Sequence, residues 1–415
     1  VKILLLTQWF EPEPFHKGLG FAKELKRKGH DVSVLTGFPN YPGGRLYPGY
    51  RQTLRRREIM DGISVTRVML YPSHDRSAMR RILNYVSFAL SSSFWIFWLP
   101  RPDLVYVYGP PPTAALAAVG LRLVRKVPFV FNDTDLWPDS LSATGMVASS
   151  TLLSLAQGWG NFVYRTAARV VVLSQGYKKR LVERGITADH IEVIPNWGIE
   201  DSCGDGEVAP ILHSGFNIVF AGNMGPAQDL DVVLDAAGIL AQSAPQAKFL
   251  MAGGGVDAAT LTKRAKDEGL ANVTFLGRLP PQEMPAVFAQ ADALLVHLRD
   301  EPVFAFTVPS KTQAYLRAGR PILMGVRGDA AAMVAAANAG VAFEPGNADA
   351  LAKAVLRMIA LSDAERDAMG KAGARYYRKA LSCEAGTRTF MAIFEQVLAE
   401  AMTKPASSRR QGLPE

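Results

Sequence analysis

Short apolar runs alternate with amphipathic segments from one end of this chain to the other. A run buried on both faces, followed by a helix-length connection, admits little besides a parallel sheet covered by helices. In the first half the runs fall at residues 2–7, 31–36, 64–68, 104–108, 128–132 and 169–173, with a helix over 18–28 joining the first two. The second half repeats the theme at 217–221, 248–252, 273–276, 293–297 and 322–325. The expected fold class is α/β, with two doubly wound parallel-sheet domains. At 415 residues, 48% of them hydrophobic, the chain is long enough for two such cores. The boundary is expected near residue 200, where Pro195-Asn196-Trp197-Gly198 leads into a polar stretch through Gly215 that reads as a linker. Domains over 1–200 and 201–384 follow, with a terminal helix over 385–402 returning to the first and a polar tail over 403–415 expected to be disordered. Open parallel sheets bind ligands beyond the carboxyl ends of their strands, so the two domains are expected to face a central cleft that holds the site.

The net charge of +8 is unevenly spread: residues 1–200 carry 25 Lys/Arg against 15 Asp/Glu, the remainder 21 against 23. A basic first half points to an anionic partner such as a membrane surface or a phosphorylated acceptor. No recognition-helix, zinc-finger or RNP pattern accompanies the charge, so nucleic acid is not an expected partner. Cys203 and Cys383 make neither a disulfide framework nor a metal-ligand cluster, which fits reduced cytosol. The opening residues, Val1 to Gln8, hold too short an apolar run for a signal peptide and read as a buried strand, so the expected location is cytoplasmic. Residues 82–100 break the pattern, because they carry no charge and lie between Arg80-Arg81 and Arg101. Their length suits a membrane span, but Asn84, Ser87 and Ser91 to Ser93 dilute them, and six aromatics, among them Trp95 and Trp98, suit an interface. Docking, burial and spanning all remain open from sequence. Arg51, Arg55, Arg56, Arg57 and Arg76 favour docking on the inner face of the cytoplasmic membrane.

Chemistry gathers in the second half. Pro309-Ser310-Lys311 opens a helix that ends at Gly319, and a helix start offers free N–H groups and a positive dipole end to an anion. A hydroxyl and an ammonium are added there, which suits a diphosphate. Gly222-Asn223-Met224-Gly225 follows one predicted strand, Gly253-Gly254-Gly255 another, and Gly277-Arg278 a third. Three Gly-bearing turns on one sheet edge allow backbone to approach phosphate closely, with Arg278 placed for a base or a phosphate. In the first half, Asp133-Thr134-Asp135 has the spacing of a metal-binding Asp-x-Asp, but it follows a strand in a two-domain layout, and no metal is expected. Asp133, Asp135 and Asp139 are instead candidates for orienting hydroxyls, with capping as the competing role. His16 and Gly18, in the loop after the first strand, are candidates for the diphosphate or the transferring sugar. His30 reads as structural, and His297 as a lining residue.

The order Gly-Asn-Met-Gly, Gly-Gly-Gly, Phe-Leu-Gly-Arg, Ala291-Asp292, then Pro-Ser-Lys with Tyr-Leu-x-Ala-Gly-Arg-Pro resembles the retaining family-4 glycosyltransferases of GT-B architecture, and the likeness spans nearly the whole chain. Residues 27–36, 39–44 (Pro-Asn-Tyr-Pro-Gly-Gly) and 135–140 (Asp-Leu-Trp-Pro-Asp-Ser) are similar to a narrower, WbuB-type subgroup that attaches N-acetyl-fucosamine-like or related deoxy-amino sugars during O-antigen or capsule assembly. The resemblance implies transfer from a nucleotide-diphosphate sugar with retained configuration and no metal or other cofactor. Lys311, Ser310 and the 222–225 turn would hold the diphosphate, while Glu301 and Phe304 would lie beside the sugar. A polyprenyl-diphosphate-linked sugar is the expected acceptor. Two positions depart from the family pattern: Ala314 stands where many members carry a ribose-binding Glu, and Gln228-Asp229 where many carry an Arg or Lys. A sugar-nucleotide epimerase of similar layout and a non-catalytic membrane adaptor are the alternatives. A nicotinamide enzyme is disfavoured, since residues 11–20 lack the Gly-x-Gly-x-x-Gly turn.

Overall fold

The computed structural model describes residues 1–73, 77–109, 111–136, 150–198 and 214–403. The chain divides into two compact units. One comprises Val1–Leu173, Tyr177–Pro195 and the chain from Gly386 onward, the other Ser174–Gly176 and Asn196–Ala385.

The first unit is built on eight strands: β1 (Lys2–Thr7), β2 (Asp31–Gly37), β3 (Arg55–Met60), β4 (Ile63–Val68), β5 (Leu104–Tyr108), β6 (Phe129–Asn132), β7 (Arg169–Val172) and β8 (Ile191–Val193). They lie in the order β3-β4-β2-β1-β5-β6-β7-β8. All pairs are parallel except β3–β4, a hairpin closed by Asp61-Gly62. The apolar runs make the central strands because their residues are buried on both faces, as in β5, where all five are covered. Strand β3 was not expected from its sequence, Arg-Arg-Arg-Glu-Ile-Met. It survives as a strand because it sits at the sheet edge, where outward arginines are tolerated and guard the open edge against further pairing.

Helices α1 (Leu19–Arg27), α2 (Ala78–Trp95), α3 (Ala115–Arg125), α4 (Ser150–Thr166) and α5 (Gln175–Glu183) connect the strands. The uncharged stretch 82–100 forms most of α2 and the 3-10 turn Ile96–Trp98. Among the described residues no helix is long and apolar enough to cross a membrane. Only one face of α2 is buried, through Asn84, Phe88, Ala89 and Ser92. The terminal helix, Cys383–Thr403, packs on this unit: Phe390 meets Phe21 and Tyr106 at ring-centroid distances of 5.3 and 5.2 Å, and Glu400 pairs with Arg169.

The second unit carries β9 (Phe216–Asn223), β10 (Ala247–Gly254), β11 (Val273–Gly277), β12 (Ala293–His297), β13 (Ile322–Gly325) and β14 (Gly340–Ala342), all parallel, in the order β11-β10-β9-β12-β13-β14. The direction of winding reverses between β9 and β12, and the carboxyl ends of those two strands mark the place where such sheets bind ligands. Helices α6 (Asp231–Ser243), α7 (Ala258–Asp267), α8 (Met284–Gln290), α9 (Ser310–Ala318), α10 (Asp329–Ala336), α11 (Ala348–Ala360) and α12 (Asp363–Tyr376) cover both faces. Alternate strand residues feed opposite cores: Ile218, Phe220, Phe249 and Leu295 one way, Val219, Leu250, Leu294 and Val296 the other.

Candidate active site

At the end of β9, Gly222 adopts φ +135°, and a Cβ there would lie 2.7 Å from Cε of Lys311. Glycine at this position lets the lysine stem lie directly against the strand end. Lys311 stands in the first turn of α9, its Nζ 3.7 Å from the Phe220 ring centroid, and no carboxylate pairs with it among the described residues. Burial without a counter-ion lowers its pKa to about 7. No side chain caps α9, whose N-cap is Pro309; the Thr312 N–H donates to Pro309 O at 2.9 Å, which leaves the N–H groups of Ser310 and Lys311 available at the helix start. A buried ammonium, an uncapped helix start and Gly222 therefore converge on one point suited to an anion.

Tyr315 sets this alignment. The N–H of Ala221 donates to its phenolic oxygen at 3.0 Å, which ties α9 to β9 one residue before Gly222. The sequence motif includes this residue but does not show its bonding role, because a tyrosine at helical spacing reads as ordinary core. Tyr315→Phe leaves the buried Ala221 N–H unsatisfied and is expected to cost about 1–3 kcal/mol of stability in denaturant unfolding.

The neighbouring turns stand directly beside Gly222. Gly253 pairs with Gly222 and Gly254 with Asn223 in the parallel ladder, and Met224 N–H donates to Gly254 O at 2.9 Å. A Cβ on Gly254 would meet Nε of Arg278 at 2.9 Å, so the exposed Arg278 lies across that glycine. Gly225 N–H and Asn223 Nδ2 both donate to Gln228 Oε1, at 3.2 and 3.4 Å, which shapes the turn from within. His297 braces it from below: its Nδ1 donates to Gln228 O at 2.8 Å, while Nε2 accepts from Gly346 N–H at 3.2 Å. Burial lowers the pKa of His297, which keeps it neutral, so it acts as a strut and does not line a pocket. Arg299, which sequence reasoning passed over, donates its N–H to Ala227 O at 2.9 Å and so stands beside the turn that lacks the family's usual cation. Its guanidinium lies 3.7 Å from Glu301. Exposed Glu301 is the N-cap of the 3-10 segment Pro302–Phe306, which carries half-buried Phe304 and leads toward α9, and Ser310 is exposed at the helix start.

In the first unit, the residues singled out from sequence lie at the carboxyl edge of its own sheet. The α1 start at Gly18 is already occupied, since Glu11 accepts the Leu19 N–H at 2.6 Å and a Cβ on Gly18 would collide with that carboxylate. His16 is half-buried on the same loop. Asp133 is fully buried, accepts hydrogen bonds from Tyr164 and from Asp135 N–H, and is pushed up to about 7 by burial. Asp135 is exposed beside it, and Asp139 lies outside the described residues. Around this edge an aromatic cluster assembles that the sequence did not reveal: Trp9 meets Tyr41 at 4.9 Å, Phe15 at 5.8 Å and Tyr85 at 6.3 Å. Glu13 fixes the two loops that carry it, accepting the N–H groups of Phe10, Asn40 and Tyr41, and its pKa rises to about 7 through burial. Buried Arg67 bonds Glu58, Gly37 O and Glu11 O and anchors the same loops to the edge hairpin.

The second sheet thus ends in a cationic turn whose chemistry suits a diphosphate. Residues 19–197 match the glycosyl transferase 4-like domain and residues 209–376 the glycosyl transferases group 1 domain, which together span most of the chain. The chain belongs to this family and is a glycosyltransferase of the two-domain GT-B fold. It is similar to WcaI of Escherichia coli strain K12, assigned as a colanic acid biosynthesis glycosyl transferase, with 26% identity over 339 residues, 77% of this chain and 82% of that one. WbjE of Pseudomonas aeruginosa, assigned as a glycosyltransferase, is 26% identical over 231 residues, 54% of this chain and 57% of that one. Among solved structures, Anabaena HepE in complex with UDP matches with a TM-score of 0.63 at 16% identity, covering 95% of this chain and 100% of that one. The α,α-trehalose 6-phosphate synthase of Burkholderia multivorans matches at 0.69 with 15% identity, covering 97% and 100%. At such identity these two structures establish the shared fold.

Proposed function

We propose that this enzyme moves a sugar from a UDP-linked donor to a polyprenyl-diphosphate-linked sugar at the inner face of the cytoplasmic membrane, during assembly of a cell-surface polysaccharide. Retention of anomeric configuration and independence of metal are part of the proposal. The observation that carries it is the Lys311 ammonium, with no carboxylate partner among the described residues, held against Gly222 at an uncapped helix start, an arrangement that suits a diphosphate. UDP is supported by its presence in the HepE complex, and the polysaccharide by the colanic acid assignment of WcaI. The N-acetyl-fucosamine-like sugar rests on the subgroup motifs at residues 39–44 and 135–140.

In this reading the diphosphate is met by Lys311, Ser310 and the 222–225 turn, with Gly253 and Gly254 allowing its approach and Arg278 contacting the outer phosphate or base. Glu301 and Phe304 flank the sugar. The acceptor hydroxyl attacks the anomeric carbon on the face from which the diphosphate departs, and its proton passes to the departing phosphate oxygen. The lysine stabilises the charge that develops there. His16 and Asp135 orient hydroxyls, and buried Asp133 acts through Asp135 and Tyr164. Glycans stack well on aromatic faces, so the Trp9–Tyr41–Tyr85 cluster is the seat for the acceptor sugar.

A transfer assay with labelled UDP-sugars and a polyprenyl-diphosphate monosaccharide, followed by determination of the product's anomeric configuration, tests the proposal. A retained glycosidic linkage is expected. An epimerised free nucleotide sugar formed without acceptor would replace it with the epimerase reading.

Lys311 also predicts a pH dependence. In the free protein it titrates near pH 7, and a bound diphosphate would raise that value. Above pH 7 binding must then take up a proton, so affinity is expected to fall as pH rises, by up to about tenfold per unit. Below pH 7 the lysine is already charged and contributes no slope. Calorimetry in buffers of different ionisation enthalpy reads the proton uptake directly.

A further inference from the structure

Helix α2 carries an apolar face outward. Its buried face mixes Asn84 and Ser92 with Phe88 and Ala89, while the opposite face presents Met79, Leu83, Val86, Leu90, Phe94 and, one turn beyond, Trp98. These recur every three or four residues, so they form one continuous ridge along the helix. Exposure is high at its members: 74% at Met79, 60% at Leu90, 58% at Phe94 and 68% at Trp98. A surface helix of a water-soluble domain normally turns polar residues outward, and a contiguous apolar ridge of this length marks an interaction surface.

Charge identifies the partner. Residues 77–102 contain no acidic side chain. Arginines flank the ridge at both ends and along one side: Arg80 and Arg81 in the first turn, Arg101 past the last, and Arg55, Arg56 and Arg57 on the neighbouring edge strand β3. Arg55 lies over the Trp95 ring at 4.8 Å, which brings β3 up to the helix. Apolar residues and tryptophan on one face, with cations at the margin, match the headgroup layer of an anionic bilayer.

We propose that α2 lies in the plane of an anionic membrane, its Met79–Trp98 ridge inserted among the acyl chains near the headgroups and the arginines on lipid phosphates. The helix has a second use on its inner face. Asn84 accepts from Gln8 Nε2 and Tyr85 meets Trp9 at 6.3 Å, so the first turns of the docked helix line the aromatic edge assigned above to the acceptor sugar. Docking thus sets the height of that edge above the bilayer, within reach of a sugar whose lipid stays in the membrane. This inference rests on the lipid-linked acceptor for its purpose, but its geometry stands without it.

The test is co-sedimentation of the full chain with vesicles of phosphatidylcholine, alone or with about one-third phosphatidylglycerol, alongside UDP titration of the same samples. The wild type is expected to bind the anionic vesicles about tenfold more tightly than the neutral ones, and less tightly in high salt. A variant with Leu83→Ser, Leu90→Ser and Phe94→Ser is expected to lose vesicle binding by about tenfold or more while UDP affinity stays unchanged. Arg56→Gln with Arg57→Gln should remove only part of the preference for anionic lipid. Ile239→Ser, an exposed apolar change in the second unit, should bind vesicles as the wild type does. Wild-type protein that ignores both vesicles, or a triple variant that still binds, overturns the inference. So does a wild-type dimer that the triple variant abolishes without any vesicle binding, which would assign the ridge to a second copy of the chain. Loss of UDP binding in the wild type would instead count against the transferase reading and leave docking standing.

Discussion

Lys311→Ala is expected to lower kcat/KM for the nucleotide sugar by about 10²–10³-fold, the usual loss when one preorganised group aimed at developing negative charge is removed. The nearby cations are placed otherwise: Arg299, beside the turn after β9, has its guanidinium 3.7 Å from Glu301. Arg278 is exposed across Gly254, and the turn after β9 offers Gln228 and Asp229 where a second cation would be useful. Lys311→Arg is not a conservative rescue, because the stem passes within contact of Gly222 and the ammonium rests on Phe220, leaving little room for a planar fork. Lys26→Ala serves as the control: its ammonium donates to Gly62 O on the exposed surface of the first unit, and activity within about twofold of wild type is expected. Equal losses in the two variants would contradict the phosphate site.

Gly253→Ala is expected to be among the most damaging single-methyl changes in the second unit. Gly253 adopts φ +132°, and a Cβ there would lie 1.9 Å from the carbonyl oxygen of Gly222. That atom belongs to backbone paired in the β9–β10 ladder, so neither side can yield without breaking the register that holds Gly222 under Lys311. A loss of about 3 kcal/mol or more in stability is expected, together with donor binding. Gly277→Asn makes the contrast, since Gly277 also has positive φ, +70°, but nothing lies within 4 Å of its would-be Cβ. Asparagine tolerates that backbone, and about 1 kcal/mol or less is expected. Thermal unfolding of the two variants beside wild type separates steric exclusion from conformational preference.

The parallel strands were legible because each is a short apolar run flanked by turn residues, and burial on both faces leaves such runs no other use. Strand β3 was hidden by its own arginines, which mark it as a basic surface and say nothing of the hairpin that places it. The Gly-rich turns of β9, β10 and β11 were readable as a set, since glycine recurs at three strand ends. What each glycine makes room for was not readable: Lys311 over Gly222 and Arg278 over Gly254 are meetings of residues 89 and 24 positions apart. Tyr315 belongs to the quoted Tyr-Leu-x-Ala-Gly-Arg-Pro run and His297 to none, but in neither case does the sequence show the role, which lies in hydrogen bonds with Ala221, Gln228 and Gly346. In residues 82–100 apolar character on every side concealed which face turns inward, and the buried Asn84, bonded to Gln8 and to Tyr71 O, fixes that choice. At Gly18 local sequence suggested an anion site, whereas the carboxylate already there comes from Glu11, seven residues earlier.

The most direct measurement is calorimetric titration of the purified chain and its Lys311→Ala variant with UDP, GDP and dTDP, in metal-free buffer at pH 7. Selective binding of UDP by the wild type, lost in the variant, is the predicted result. Equal binding by both proteins, or no binding of any nucleotide by the wild type, would contradict the site built around Lys311 and Gly222.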